Sequence, residues 1–199
     1  MIIFTPILES ELKEKPSVPK YDGIKMRLEE FLVSEFDDPG YKYEWNNGLL
    51  EADNKLKFSE QILVDNIIRK YCQTDSFKKG NSLLPEVECY LSKVQSVKKP
   101  DICYLTKEQI KNSRQKSVDQ VPSFVIEIIS PSNTVSEIEK KIHDYFQAGT
   151  KVIWIIYPEL CSVKVYYSPK QIKVCTENDI CDAGDVISDF HITVNEIFQ

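Results

Sequence analysis

Phe124-Val125-Ile126-Glu127-Ile128-Ile129 is an apolar run broken by one carboxylate, bounded by Pro122 and Pro131. A run this short and this apolar reads as a β-strand covered on both faces of its sheet. Glu127 then has no inexpensive direction in which to point. Even a neutral polar group buried without a partner costs about 1–3 kcal/mol, and an ionised one costs more. A lysine or arginine partner, a proton or a metal ion has to compensate. Pro100-Asp101-Ile102-Cys103-Tyr104-Leu105 repeats the pattern, with Asp101 opening a second apolar run. Aspartate is disfavoured in strands. Two carboxylates on neighbouring strands repel, and a divalent cation between them relieves both. Oxygen-only ligation suits Mg²⁺ or Mn²⁺ better than Zn²⁺. A solvated cap at the strand start is the equally weighted reading of Asp101 alone.

A third charge sits on the helix that follows. Over Val135–Ala148, Ile138, Ile142, Tyr145 and Phe146 make the apolar stripe, and Gly149 ends the helix. Lys141 follows Ile138 by three and precedes Tyr145 by four, so it borders the buried stripe, while Lys140 and Asp144 point away. Lys141 can snorkel to solvent or reach the two carboxylates.

The other elements frame these charges. Residues 1–23 hold three prolines and no sustained period, which reads as an N-terminal arm. A helix is expected over Ile24–Glu35 with Asp22 as N-cap, then a hairpin over Tyr41–Ala52 turning at Asn46-Asn47-Gly48. A second helix is expected over Phe58–Tyr71, with Ile62, Leu63, Ile67 and Ile68 on its stripe. Val87–Leu91, Pro100–Leu105 and Ser123–Ile129 are strands, with a short helix over Lys107–Ser113, N-capped by Thr106, between the last two. Val152–Tyr157 is a buried strand. Val163–Tyr167 and Gln171–Cys175 form a C-terminal β-hairpin, and Asn195–Phe198 a last helical turn. The order implies an α/β (α+β) fold around a mixed central sheet, in one domain over residues 24–199.

Composition narrows the function classes. No apolar run reaches the roughly 20 residues of a membrane helix, so no membrane partner is expected and a cytoplasmic location is the default. The six cysteines (72, 89, 103, 161, 175 and 181) are scattered without a C-x-x-C pair and read as free thiols. The formal charge of −6 argues against a protein that coats nucleic acid. Yet residues 93–118 carry seven basic side chains against two acidic ones, enough to grip phosphates at one place.

Several segments, in order and at matching spacing, carry a resemblance. They are Pro100-Asp101; Pro122 through Glu127 to Ser130-Pro131; Lys141 to Tyr145 with Ala148-Gly149; and Val152 through Trp154 to Pro158. With Tyr43-Glu44-Trp45 and Gly48 as an opening hairpin, they resemble the bacterial family of putative restriction endonucleases with a PD-(D/E)XK-type core, over about residues 40–198. The resemblance implies a restriction-endonuclease-like fold and a Mg²⁺- or Mn²⁺-dependent endonuclease acting on DNA without an organic cofactor. It implies Asp101 and Glu127 as metal ligands. The usual motif lysine falls at Ile129, and the resemblance moves that role to Lys141. Glu60 falls where many members have a histidine. The alternative is a nuclease-fold protein that has lost catalysis and binds nucleic acid or protein. Family habit, the arm and the aromatic hairpin residues Tyr166 and Tyr167 point to a homodimer.

Overall fold

The computed structural model describes residues 18–112 and 120–199. In chain order the elements are α1 (Leu28–Phe31), β1 (Tyr41–Asn46), β2 (Leu49–Asn54), α2 (Phe58–Tyr71), α3 (Asp75–Lys78), β3 (Ser82–Pro85), β4 (Cys89–Leu91), β5 (Ser96–Lys98) and β6 (Ile102–Leu105). There follow α4 (Lys107–Asn112), β7 (Phe124–Ile128), α5 (Val135–Ala148), β8 (Val152–Tyr157), β9 (Ser162–Ser168), β10 (Gln171–Thr176), β11 (Ile180–Ala183), β12 (Ile187–Thr193) and α6 (Val194–Ile197).

A six-stranded sheet in the order β10-β9-β8-β7-β6-β3 forms the centre. Only β7 and β8 run parallel, because α5 supplies the crossover a parallel pair requires. The remaining neighbours are antiparallel. Side chains of β6, β7 and β8 alternate between two cores. Tyr104, Phe124, Ile126 and Trp154 pack against α2 and β12. Cys103, Val125, Ile153 and Ile155 pack against Ile142, Tyr145 and Ala148 of α5. Glu127 shares the phase of Val125, so it faces α5.

A separate four-stranded sheet, β2-β1-β5-β4, carries the N-terminal hairpin. Asn47 and Gly48 have φ of 49° and 90°, the left-handed pair of a tight two-residue hairpin turn. Tyr43, Trp45, Leu50 and Val97 form a third apolar cluster on one face of this sheet. Its other face is charged and meets the central sheet at the site described below.

Some expectations change. The helix foreseen over Ile24–Glu35 shrinks to α1, because the preceding residues lie extended along the hairpin. Lys25 bridges Leu49, Gly23 and Met26 donate to Leu50 and Gly48, and Asp22 accepts from the Ala52 N–H. Ladder hydrogen bonds here outweigh a weak helical spacing. The buried stripe of α2 is Leu63, Val64, Ile67 and Tyr71, with Ile62 partly exposed. Tyr166 is buried and Tyr167 is half-buried with its hydroxyl donating to Asp182, so the pair of exposed aromatic rings expected on this hairpin is not seen. The six cysteines are free thiols, four of them buried. Residues 1–17 of the arm and the end of the basic stretch, 113–118, lie outside the described residues. No described helix is long and apolar enough to cross a membrane.

Candidate active site

Asp101 stands one residue before β6, and the β6–β7 register of Ile102 opposite Ile126 brings it against β7. Its Oδ2 accepts from the Ile128 N–H at 2.7 Å. Its Oδ1 meets the Lys42 ammonium of β1 at 2.6 Å, an ion pair with both side chains almost fully buried. Glu127, on β7, is only 3% exposed. The Tyr145 hydroxyl donates to its Oε1 at 2.6 Å, and Lys141 Nζ lies 3.3 Å from its Oε2.

Lys141 gathers three carboxylates. Besides Glu127, its ammonium lies 2.7 Å from Asp53 and 3.6 Å from Glu44. The side chain of Lys141 is 18% exposed, whereas that of Lys140 is 47% exposed and pairs with Glu51 at 2.7 Å. Asp144, expected to face solvent, is instead mostly covered and lies 3.7 Å from Lys98. Asp53, Glu60, Asp101, Glu127 and Lys141 line one cleft. Glu60 also caps α2, accepting from the Lys57 N–H at 2.7 Å.

Behind the cleft lies a second ammonium cluster. β1 and β2 set Glu44 directly opposite Glu51, two like charges across the ladder. Lys98 of β5, 1% exposed, sits between them, 3.3 Å from Glu44 and 3.7 Å from Glu51. Lys98 is therefore a buried bridge and not part of a phosphate-gripping surface. The Lys99 N–H also donates to Glu44 at 2.8 Å.

Charge balance explains the proton affinities. Glu44, Glu51, Asp53, Asp101, Glu127 and Asp144 face Lys42, Lys98, Lys140 and Lys141, so the carboxyls outnumber the ammonium groups. Glu127 is the group that shows it. Burial and the neighbouring Asp101 carboxylate, opposed by Lys141, push its carboxyl up to about 7. Glu44 moves the other way. Burial opposes its charge, yet Lys141, Lys98 and the Lys99 N–H together hold it down to about 2. Lys141 and Lys42 stay above the ordinary lysine range, because the surrounding carboxylates outweigh the effect of burial.

Of the four residues singled out by sequence, all lie at this cleft. Lys42, Glu44, Asp53, Lys98 and Tyr145 were missed as site groups. Lys42 and Glu44 alternate with Tyr41, Tyr43 and Trp45, the pattern of an ordinary strand with one solvated face. Here that charged face is buried. Ile129 belongs to the α5-side core, the same face as Glu127, so the place of the motif lysine is apolar.

A mixed sheet flanked by helices, with this acid–lysine cluster at the edge of its central strands, defines the class as a nuclease-fold protein. A crystal structure described as a putative nuclease belonging to DUF820, from Anabaena variabilis ATCC 29413, matches it with a TM-score of 0.71 and 20% identity, over 88% of this chain and 97% of that one. The chain belongs to the Uma2 family, described as "Putative restriction endonuclease", whose sequence profile matches residues 28–195. No curated protein matches it.

Proposed function

We propose that this protein is a divalent-metal-dependent endonuclease that hydrolyses DNA phosphodiester bonds. One observation carries the reading: Asp101 and Glu127, at the ends of neighbouring strands, are both buried and line one cleft, with Lys141 of the facing helix 3.3 Å from Glu127. Family membership supports nuclease activity in general terms.

The donor set suits Mg²⁺ or Mn²⁺. The cleft offers hard carboxylate oxygens, with a surplus negative charge for a cation to absorb. Among the described residues no three histidine, cysteine or acidic side chains form a ready metal cage. Magnesium, however, commonly takes one or two protein carboxylates and completes its shell with water and substrate phosphate. Asp101 and Glu127 would hold the ion, with Glu60 at the cleft wall. When bound, the metal supplies a water of lowered pKa and neutralises charge on the phosphoryl group.

The chain's own groups do the rest. Lys141 Nζ lies beside Glu127 and keeps its proton, so it serves as a donor to the developing negative charge of the scissile phosphate. Tyr145 fixes the rotamer of Glu127 from behind, leaving Oε2 toward the lysine. Asp53 holds Lys141 at its other side. Cleavage of both strands calls for two such sites, and a homodimer is proposed on that chemistry.

The test is relaxation of supercoiled plasmid in Mn²⁺, in EDTA, and with Asp101→Asn. Nicking that needs both metal and Asp101 supports the reading; nicking by Asp101→Asn at the wild-type rate overturns it. The second reading, a nuclease fold that binds DNA without cutting, is favoured by the Lys42–Asp101 pair and by Ile129. DNA binding at saturating Mn²⁺ with no cleavage would select it.

A further inference from the structure

Lys42 has no role in the mechanism above, yet it makes the shortest ion pair at the cleft's floor. We propose that Lys42 is a built-in counter-cation of Asp101 that restricts the cleft to a single divalent ion. The inference rests on the metal-dependent reading, and its experiment separates the two.

Three observations lead to it. First, Lys42 Nζ lies 2.6 Å from Asp101 Oδ1, and its side chain is 2% exposed. An ammonium held this close in a dry setting cannot swing out to water at low cost. Second, Asp101 Oδ2 already accepts from the Ile128 N–H at 2.7 Å. Each oxygen keeps one lone pair, but the ammonium against Oδ1 repels a dication there and leaves Oδ2 the favoured oxygen for a single metal. Third, two dications sharing Asp101 beside a fixed ammonium would repel both it and each other strongly in a desolvated cleft. Lys42 thus takes the place of a second metal beside Asp101.

The experiment is Mn²⁺ titration followed by calorimetry and by the electron paramagnetic resonance of free Mn²⁺, on wild type, Lys42→Met and Lys42→Met/Asp101→Asn, with melting temperatures of the metal-free proteins. Wild type should bind one Mn²⁺ per chain. Lys42→Met should bind Mn²⁺ at least about tenfold tighter, or take a second ion, because the competing cation is gone. Its metal-free form should melt about 10 °C lower, with Asp101 left unpaired, and recover with Mn²⁺. The double variant should regain stability without metal and lose the tight site.

Two Mn²⁺ ions on wild type, or a Lys42→Met that binds no tighter and takes no second ion, would overturn the inference. If Lys42→Met does not fold, the wild-type stoichiometry and the double variant still decide. A wild type that takes no Mn²⁺ while Lys42→Met takes one would overturn the metal-dependent nuclease and keep Lys42 as the cation of Asp101. Binding by neither overturns both.

Discussion

Replacing Lys98 by methionine should cost the fold about 3–5 kcal/mol, the usual penalty for breaking a buried ion pair from one side. Lys98 is buried, and its ammonium lies between Glu44, Glu51 and Asp144 at 3.3, 3.7 and 3.7 Å. Methionine keeps the volume, so packing changes little and the loss is electrostatic. Glu44 would retain Lys141 at 3.6 Å and the Lys99 N–H at 2.8 Å, but would face Glu51 with nothing between them. For a domain of this size the penalty corresponds to a fall in melting temperature of about 10 °C. Urea unfolding of Lys98→Met, Glu44→Gln and the double variant measures it as a cycle. The double variant should be more stable than the sum of the single losses by at least about 1 kcal/mol. A Lys98→Met loss below about 1 kcal/mol, or strict additivity, would refute the idea that Lys98 bridges an otherwise repulsive pair.

Lys141→Ala should lower metal-dependent nicking by about 100-fold or more without weakening Mn²⁺ binding, since it removes a charge donor and a competing cation but no ligand. Lys140→Ala should keep nicking within about twofold, because its exposed pair with Glu51 contributes little. Tyr145→Phe should cost about 1.5–3 kcal/mol in urea unfolding, the range for a hydrogen bond to a charged group, or less where Glu127 carries its proton. Glu44 gives an acid limb to stability: its carboxyl is held at about 2 against an ordinary 4.5, so its contribution is complete above pH 4.5 and lost as pH falls toward 2. That contribution is on the order of 3 kcal/mol, and Glu44→Gln should flatten this part of the stability-against-pH curve.

The residues that sequence could single out were those that break a rule. Glu127 interrupts an apolar run, and Lys141 borders a buried helical stripe, so each signals a charge facing inward. A helix with a clear stripe and stop was also legible: α5 spans Val135–Ala148 as its spacing predicts and ends at Gly149 with φ of 122°. Lys42, Glu44 and Lys98 break no rule. They sit on short strands whose alternation suits a solvated face, and only the packing of the hairpin sheet against the central sheet buries them. The strands β3, β5 and β11 are three or four residues long, too short to show a period. The first helix is shorter than its spacing suggests because backbone pairing with the hairpin, invisible in local spacing, claims Lys25 and Met26.

The most direct test of the metal-dependent site is anomalous diffraction from crystals soaked in Mn²⁺. A single peak bound by both Asp101 and Glu127 carboxylates, with Lys42 still against Asp101, is the predicted result. Saturating Mn²⁺ that leaves the cleft without a peak, or places the ion on other residues, would contradict it.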